Sequence, residues 1–262
     1  MKLVIGNHIK IHEYNDFFGH VTIMLLDYFD KPEYDKCLFI LGTYVAVPAK
    51  SFKDQFPDHK IIVYQLEQLM GICTWQSVPT IIENIKSADE IWDYDKLNVE
   101  YLKQHSVKVD RFMPLLYSSK LERIERRENP EIDVLFYGMI NERRFKIFQL
   151  LQPQLYGRIK LAWIYGDSEM DKHLANTKVV LNLHAAEPWN RQEQVRLFYP
   201  IINGITCVSE PSQFNNMHDE IIESSIDRLS ATLHDVCYSN EWKSFGILAK
   251  ERFKNRSIEY AV

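Results

Sequence analysis

The sequence predicts a doubly wound α/β protein made of two Rossmann-like domains, and three observations support this fold class. Short apolar runs alternate with longer amphipathic segments through most of the 262 residues. The apolar runs lack a regular polar alternation, which is typical of strands buried on both faces of a parallel sheet. A polar, charged stretch at residues 118–130 interrupts the pattern. We therefore expect domains of residues 1–125 and 126–262 with a ligand cleft between them.

The apolar runs are rich in β-branched and aromatic residues and predict strands at 3–5, 37–41, 60–65, 90–92, 107–112, 132–137, 159–165, 179–183 and 205–209. The helices are predicted from apolar residues that recur at a spacing of 3.6 residues, as in the stripe of Phe18, Val21, Leu25 and Tyr28. This spacing places helices at 16–29, 80–88, 95–104, 142–152, 169–177, 192–203, 227–237 and 241–254.

The composition excludes several classes of protein. Hydrophobic residues make up 46% and charged residues 26%, as in ordinary globular chains and unlike disordered, collagen-like or disulfide-rich ones. The net charge of −5 does not indicate nonspecific nucleic-acid binding, although it leaves room for a local basic patch. The four cysteines form no C-x-x-C pair, and the apolar stretches are too short to span a membrane. We expect a cytoplasmic protein with free thiols.

The segment DVLFYGMINERR at 133–144 is the most informative motif. An apolar strand leads to Gly138, and Asn141 can cap a helix whose first turn contains Arg143 and Arg144. Cations are unfavourable at a helix N-terminus, so two arginines there favour a bound anion. Helix-start N–H groups and guanidinium groups both bind phosphate, which predicts a diphosphate site. The alternative is that both arginines are solvated.

A second polar cluster follows the strand predicted at 179–183. Asn182, His184 and Glu187 lie at the carboxyl end of that strand, and Glu193 and Arg196 share one face of the next helix. The end of a strand in an α/β sheet is where ligand-binding groups are placed. A surface ion pair and a structurally satisfied histidine are the alternatives.

Two further motifs lie in the N-terminal half. Gln65, Glu67 and Gln68 follow a strand, where a carboxylate can act as a base or bind a sugar hydroxyl. Asp93 and Asp95 form a D-x-D pattern, which some sugar transferases use to bind a divalent metal. We favour the alternative that Asp95 is a helix N-cap. The chain lacks G-x-G-x-x-G and Walker A motifs.

Taken in order, these motifs resemble a small nucleotide-sugar glycosyltransferase of the GT-B type. The resemblance rests on IVYQLEQL and EIWDYDKLNVEYLKQHSVKV, on DVLFYGMINERR and IYGDSEMDKHLANTKVVLNLH, and on the E-x-V-R helix before NGITCVSE. The C-terminal half is similar to the donor domain of retaining members. Tyr199 departs from that pattern, because a second glutamate usually stands there. The sequence therefore leaves open retention or inversion, the sugar, the nucleotide and the oligomeric state.

The resemblance implies a role for each candidate residue. Glu67, Glu187 and Arg143 would be catalytic, and Gln65 and Gln68 would face the acceptor. The residues implied in donor binding are Gly138, Asn141, Arg144, Tyr165, Gly166, Asn182, His184, Glu193 and Arg196. No cofactor or metal is implied, since arginines and helix N-termini can stabilise the leaving diphosphate.

The leading hypothesis is sugar transfer to a hydroxyl acceptor, which is a glycan, a small molecule or a hydroxymethylated DNA base, as in a viral or phage enzyme. DNA as the acceptor would need a basic groove, for which the candidates are Lys50, Lys53, Lys120, Arg123, Arg126 and Arg127. The alternatives are a non-catalytic nucleotide- or sugar-binding module and a metal-dependent single-domain sugar transferase that uses Asp93 and Asp95.

Overall fold

The computed structural model describes residues 2–13, 18–42, 48–69, 78–165, 169–186, 191–214 and 216–256. The chain divides into two compact units. The first ends at Lys120, and the second spans Leu121–Arg256. In each unit the described strands form one sheet, and most consecutive parallel strands of a sheet are connected through helices. The fold is therefore a mixed α/β fold of the Rossmann-like type.

The first unit contains a six-stranded sheet in the order β1-β2-β3-β4-β5-β6. Its strands are β1 (Lys2–Ile5), β2 (Ile9–Glu13), β3 (Cys37–Leu41), β4 (Lys60–Gln65), β5 (Glu90–Asp93) and β6 (Arg111–Phe112). Its helices are α1 (Gly19–Phe29), α2 (Ala49–Gln55), α3 (Val78–Ile85) and α4 (Lys96–Gln104). Strand β1 pairs antiparallel with β2, and every other described pairing is parallel.

The core of the first unit explains why its strands read as continuous apolar runs. All five residues of β3 are buried, as are residues 61–65 of β4, because helices cover the sheet. Helices α2 and α3 pack on it through Phe52, Ile81 and Ile85. Burial on both faces leaves no polar side to a strand, so the sequence shows no alternation.

The second unit contains a five-stranded parallel sheet in the order β11-β10-β9-β7-β8. Its strands are β7 (Ile132–Tyr137), β8 (Leu161–Ile164), β9 (Thr177–Asn182), β10 (Thr206–Ser209) and β11 (Ile222–Glu223). Its helices are α5 (Glu142–Leu155), α6 (Met170–Ala175), α7 (Gln194–Ile202), α8 (Ile226–Tyr238) and α9 (Glu241–Lys254). Helices α5 and α8 pack on the sheet through Ile147, Leu151, Leu229 and Leu233.

The strand order of the second sheet identifies where a ligand is expected to bind. From β7 the chain passes to β8 on one side and then crosses back to β9 on the other side. Such a reversal is a topological switch point, and α/β proteins bind ligands beyond the carboxyl ends of the strands that flank it. The described strands of the first sheet follow chain order without a reversal. The second sheet therefore has the expected site between β7 and β9.

Most predicted elements are present, with ends that differ by a few residues, but three elements were missed. Strand β2 (IKIHE) alternates buried and half-buried residues, and its charged side chains hide it among the apolar runs. Helix α2 has seven residues and two buried side chains, and β11 has two residues. Short elements contain too few residues to establish a period.

The structure also tests the expectations of free thiols and of apolar segments too short to span a membrane. Cys37, Cys207 and Cys237 are buried free thiols, and Cys73 lies outside the described residues. Burial raises the pKa of the Cys237 thiol to about 12, so it is protonated and unreactive at neutral pH. Within the described ranges, no helix has the length and apolar character needed to cross a bilayer.

Candidate functional site

The polar residues of the C-terminal half meet at one edge of the second sheet. Strands β7, β9 and β10 are parallel neighbours, so their carboxyl ends lie side by side. The loop into α5 follows β7, His184 follows β9, and Glu210 follows β10. This edge includes the switch point between β7 and β9, where a ligand is expected.

Helix α5 begins where it does because Asn141 caps it. The Asn141 side-chain oxygen accepts a hydrogen bond from the backbone N–H of Arg144 at 3.0 Å. Its Nδ2 donates to the carbonyl oxygen of Ala185. The predicted cap is confirmed, and the second hydrogen bond fixes the start of α5 to the segment after β9.

Gly138, which follows β7, is required both by its backbone conformation and by its neighbours. Its φ of +130° lies in a region that disfavours residues with a Cβ. A Cβ there would lie 3.1 Å from Nη2 of Arg196 and 3.4 Å from Nε. The carbonyl oxygen of Gly138 accepts a hydrogen bond from Nε1 of Trp163 at 2.7 Å. The glycine thus lets the Arg196 guanidinium pack directly against the strand end.

Arg143 forms a two-pronged ion pair with Glu210. Its Nη1 and Nη2 donate to the two carboxylate oxygens at 2.9 and 2.5 Å, and Nη1 also donates to the carbonyl oxygen of His184 at 3.0 Å. The same carboxylate accepts the His184 backbone N–H at 2.7 Å. The Arg143 side chain is 18% exposed. It is therefore oriented by the fold and still reaches solvent.

Arg144 has a different environment, because its side chain is only 3% exposed. Its N–H groups donate to the carbonyl oxygens of Leu183 and Met139 and to Glu193, at 2.7–3.0 Å. Burial, with a smaller contribution from Arg143, lowers the pKa of Arg144 to about 10, so it stays charged at neutral pH. The prediction of direct donor binding by Arg144 is corrected to an internal role, since its donors point at protein oxygens.

Glu193 bridges two arginines. It pairs with Arg144 at 2.7 Å and with Arg196, three residues further along the chain. Arg196 also donates to the side-chain oxygen of Asn182 at 2.8 Å, and Asn182 donates to Oγ of Ser209 at 3.0 Å. Asn182 is fully buried and both ends of its side-chain amide are hydrogen-bonded within the protein, so it holds Arg196 in place.

Two carboxylates and three guanidinium groups form this network. Glu193 pairs with Arg144 and Arg196, and Glu210 pairs with Arg143. The start of α5 adds the partial positive charge of a helix N-terminus. The sequence argument that two arginines here need a bound anion is corrected, because these carboxylates pair with both arginines inside the protein. The part of Arg143 that reaches solvent can still contact an anion.

Tyr165, Gly166 and Glu187 are the remaining residues predicted in the donor site. Tyr165, after the edge strand β8, is 63% exposed, and Trp163 beside it is also exposed. The predicted contact of Tyr165 with the base of the nucleotide stays a prediction. Glu187 and Gly166 lie outside the described residues, so their predicted roles stay predictions as well.

In the first unit, Gln65 belongs to a buried hydrogen-bond network. Its Nε2 donates to the Glu67 carbonyl oxygen at 2.6 Å, and its Oε1 accepts the Glu67 N–H at 2.6 Å. Asn98 donates to the same carbonyl oxygen and to Asp93. Because Gln65 is buried and both ends of its amide are hydrogen-bonded to Glu67, its predicted acceptor contact is corrected to support of the loop that carries Glu67 and Gln68.

The D-x-D motif is used inside the fold. Asp95 caps α4 by accepting the Leu97 N–H at 2.8 Å, so the favoured cap interpretation is confirmed. Asp93 is buried and accepts hydrogen bonds from the Asp95 N–H at 2.8 Å and from Asn98 at 3.2 Å. Among the residues that the structure describes, no group of three His, Cys, Asp or Glu side chains is arranged to hold a metal. These contacts do not favour the metal-dependent alternative.

The basic residues considered for DNA binding are mostly engaged within their own units. Lys53, Lys120, Arg123 and Arg127 each pair with a carboxylate, on Asp89, Asp27, Asp171 and Glu131 respectively. Arg126 is partly buried and donates to the carbonyl oxygens of Gly204 and Thr177. Lys50 is exposed. Pairing with acidic residues reduces the attraction of these side chains for phosphates.

Two residues of the site were not assigned roles from the sequence. Glu210 orients Arg143, and Asn98 organises the loop after β4. Glu210 directly follows the buried strand β10, which is the signal that singled out Gln65 and Glu67 after β4. Asn98 lies within a helix, and nothing in its local sequence indicates a loop contact 31 residues away.

Sequence comparisons give limited information. No family model matches the chain. A curated relative, the uncharacterized protein L138 of Acanthamoeba polyphaga mimivirus, is 22% identical over 223 residues, which is 82% of this chain. The chain spans about a fifth of that relative's length, 22%.

Solved structures with a similar fold include GT-B glycosyltransferases. TarM is similar with a TM-score of 0.54 and 11% identity, over 85% of this chain and 52% of TarM. The N-terminal domain of Candida albicans trehalose-6-phosphate phosphatase is similar with a TM-score of 0.50 and 9% identity, over 86% of this chain and 67% of that domain. At these identities the likeness shows the Rossmann-like fold alone. This chain spans about half the length of TarM.

Proposed function

We propose that the protein transfers a sugar from a nucleotide-sugar donor to a hydroxyl acceptor. One observation carries this proposal: the partly exposed guanidinium groups of Arg143 and Arg196 lie beside a helix N-terminus at the switch point of a Rossmann-like sheet. A diphosphate linked to a nucleoside fits such a site. The fold shared with TarM supports glycosyl transfer as the reaction.

The leaving group of this reaction is a nucleoside diphosphate, whose negative charge grows as the bond to the sugar breaks. Arg143 and Arg196 are the partly exposed cations of the network, and their orientation is fixed by Glu210, Glu193 and Asn182. Charged donors that are held in place stabilise such developing charge without reorganising. Arg143 would act catalytically in this way, together with Glu187.

We assign acceptor binding to the loop after β4 in the first unit. Glu67 lies on a loop held by Gln65 and Asn98, and it would receive or orient the acceptor hydroxyl, with Gln68 beside it. The hydroxyl would belong to a glycan, a small molecule or a hydroxymethylated DNA base. A cytoplasmic location, a viral source and independence from metal remain predictions of the same scheme.

A thermal-shift panel tests the donor site. A ligand that binds only the folded state raises the unfolding temperature by mass action. We expect one of UDP-, GDP-, dTDP- or CDP-glucose to stabilise the protein, and Arg143→Gln to remove most of that stabilisation. If none of the four stabilises it at millimolar concentration, with inorganic diphosphate also inert, the anion site is refuted.

Two alternatives have distinct outcomes. A non-catalytic nucleotide- or sugar-binding module would be stabilised by a donor that it never turns over, whether as transfer or as hydrolysis. A metal-dependent enzyme that uses Asp93 and Asp95 would lose activity on addition of a chelator. It would also lose activity in Asp93→Ala and retain it in Arg143→Ala.

A further inference from the structure

The His184 ring is a buried polar group with incomplete hydrogen bonding. The residue is 4% exposed, and its Nε2 lies 3.1 Å from the carbonyl oxygen of Pro211. Its Nδ1 is also buried and has no hydrogen-bond partner among the residues that the structure describes. A buried polar atom without a hydrogen-bond partner destabilises the fold. Such atoms are therefore uncommon unless a ligand or a water molecule supplies the missing hydrogen bond.

The contact with Pro211 determines the protonation state of the ring. A carbonyl oxygen can only accept a hydrogen bond, so Nε2 carries a hydrogen. Burial lowers the pKa of His184 below its usual 6.5, and the ring is therefore neutral at pH 7. In neutral imidazole the second nitrogen is a lone-pair acceptor, so Nδ1 requires a partner that donates a hydrogen.

This requirement separates the parts of a nucleotide sugar. The oxygens of an ionised diphosphate only accept hydrogen bonds, so they cannot satisfy Nδ1. Sugar hydroxyl groups donate and can satisfy it. The backbone of His184 contacts both members of the Arg143–Glu210 pair, at 3.0 and 2.7 Å. The ring therefore lies next to the cation that would hold the diphosphate.

We propose that Nδ1 of His184 accepts a hydrogen bond from a hydroxyl group of the donor sugar. The inference rests on the proposed function, since it places the sugar beside a diphosphate at Arg143. The sequence predicts that His184 belongs to the donor site, and this inference assigns its ring to the sugar. His184 then contributes to the affinity for the nucleotide sugar and not to the affinity for the nucleoside diphosphate.

Calorimetric titration of matched ligand pairs tests this assignment. The pairs are UDP with UDP-glucose, GDP with GDP-mannose, dTDP with dTDP-glucose and CDP with CDP-glucose, each bound to wild type and to His184→Phe. We expect His184→Phe to weaken binding of the preferred nucleotide sugar by about five- to tenfold, as for loss of one hydrogen bond. Binding of the matching diphosphate should not change. Arg143→Gln should weaken both ligands.

Two further variants and a spectroscopic signature complete the test. His184→Asn keeps an acceptor near the position of Nδ1 and should recover part of the affinity, whereas His218→Phe, at an exposed histidine, should change neither ligand. In wild type, the ¹⁵N resonance of Nδ1 should have the unprotonated value and should move with the nucleotide sugar but not with the diphosphate. This readout remains valid if His184→Phe fails to fold.

The outcomes distinguish this inference from the proposed function. If wild type binds a nucleotide sugar but His184→Phe binds it equally well, or if the Nδ1 resonance is unmoved, the assignment of His184 is wrong and the donor site stands. A wild-type protein that binds none of the diphosphates or nucleotide sugars refutes both.

Discussion

At the scale of single residues, the site depends on how buried charges are compensated. Arg144 is almost completely buried, and Glu193 is the carboxylate that contacts it directly. A buried ion pair contributes little to stability relative to apolar residues, but removal of one partner leaves an uncompensated charge in a poorly solvated position. The Glu193 carboxylate is therefore expected to matter for folding as well as for the orientation of Arg196.

We predict that Glu193→Gln destabilises the protein by about 3 kcal/mol, because Arg144 then remains charged with one fewer anionic neighbour. Chemical denaturation monitored by circular dichroism would measure this loss. The control is Glu142→Gln, which removes an exposed partner of Lys146 in α5 and should leave the midpoint unchanged. Equal midpoints for the two variants would contradict the structural role of Glu193.

His184 should make stability depend on pH. Burial lowers its pKa in the folded state, so the unfolded chain binds a proton more readily. The contribution of His184 to the free energy of unfolding is therefore fully present above pH 6.5. It is lost as the pH drops from 6.5 toward the folded-state pKa. Urea unfolding of wild type and His184→Asn at neutral pH and at about pH 5 would test this. The variant should lose less stability on acidification, since His12 and His59, whose pKa values are also lowered, remain in both proteins.

At the scale of elements, the close packing of α9 on the segment after α7 depends on Gly246. A Cβ on Gly246 would collide with the carbonyl oxygen of Gly204 and lie 3.2 Å from the backbone N of Thr206. Glycine in the middle of a helix costs about 1 kcal/mol relative to alanine. Glycine is nevertheless needed at position 246, because the backbone of α9 can approach residues 204–206 this closely only without a side chain between them.

Gly246→Ala should therefore destabilise the protein by about 1–3 kcal/mol, even though alanine is the better helix former. Thermal unfolding would measure the effect. Ser244→Ala, at an exposed position of the same helix, is the matched control and should be neutral or slightly stabilising. Stabilisation by Gly246→Ala would contradict this account, because it would show that α9 can move away from residues 204–206 at no cost in free energy.

At the scale of the whole molecule, the proposal assigns the diphosphate to the second unit and the acceptor hydroxyl to Glu67 of the first. We predict that Arg143→Gln lowers both sugar transfer and donor hydrolysis by at least about tenfold, because both reactions expel the diphosphate. Glu67→Gln should lower transfer more than hydrolysis. Rates of product formation with and without acceptor would test this, and equal loss of both rates in Glu67→Gln would contradict its placement.

The sequence by itself determined the α/β class, most strands and helices, and the helix caps Asn141 and Asp95, because these features depend on residues close together in the chain. It also indicated which strand ends carry polar residues. Only the tertiary structure decided what each polar group contacts. Arg143 meets Glu210 67 residues away and Arg144 meets Glu193 49 residues away, which is how two arginines tolerate a helix start. Such pairings follow from strand order, and local sequence patterns do not encode that order.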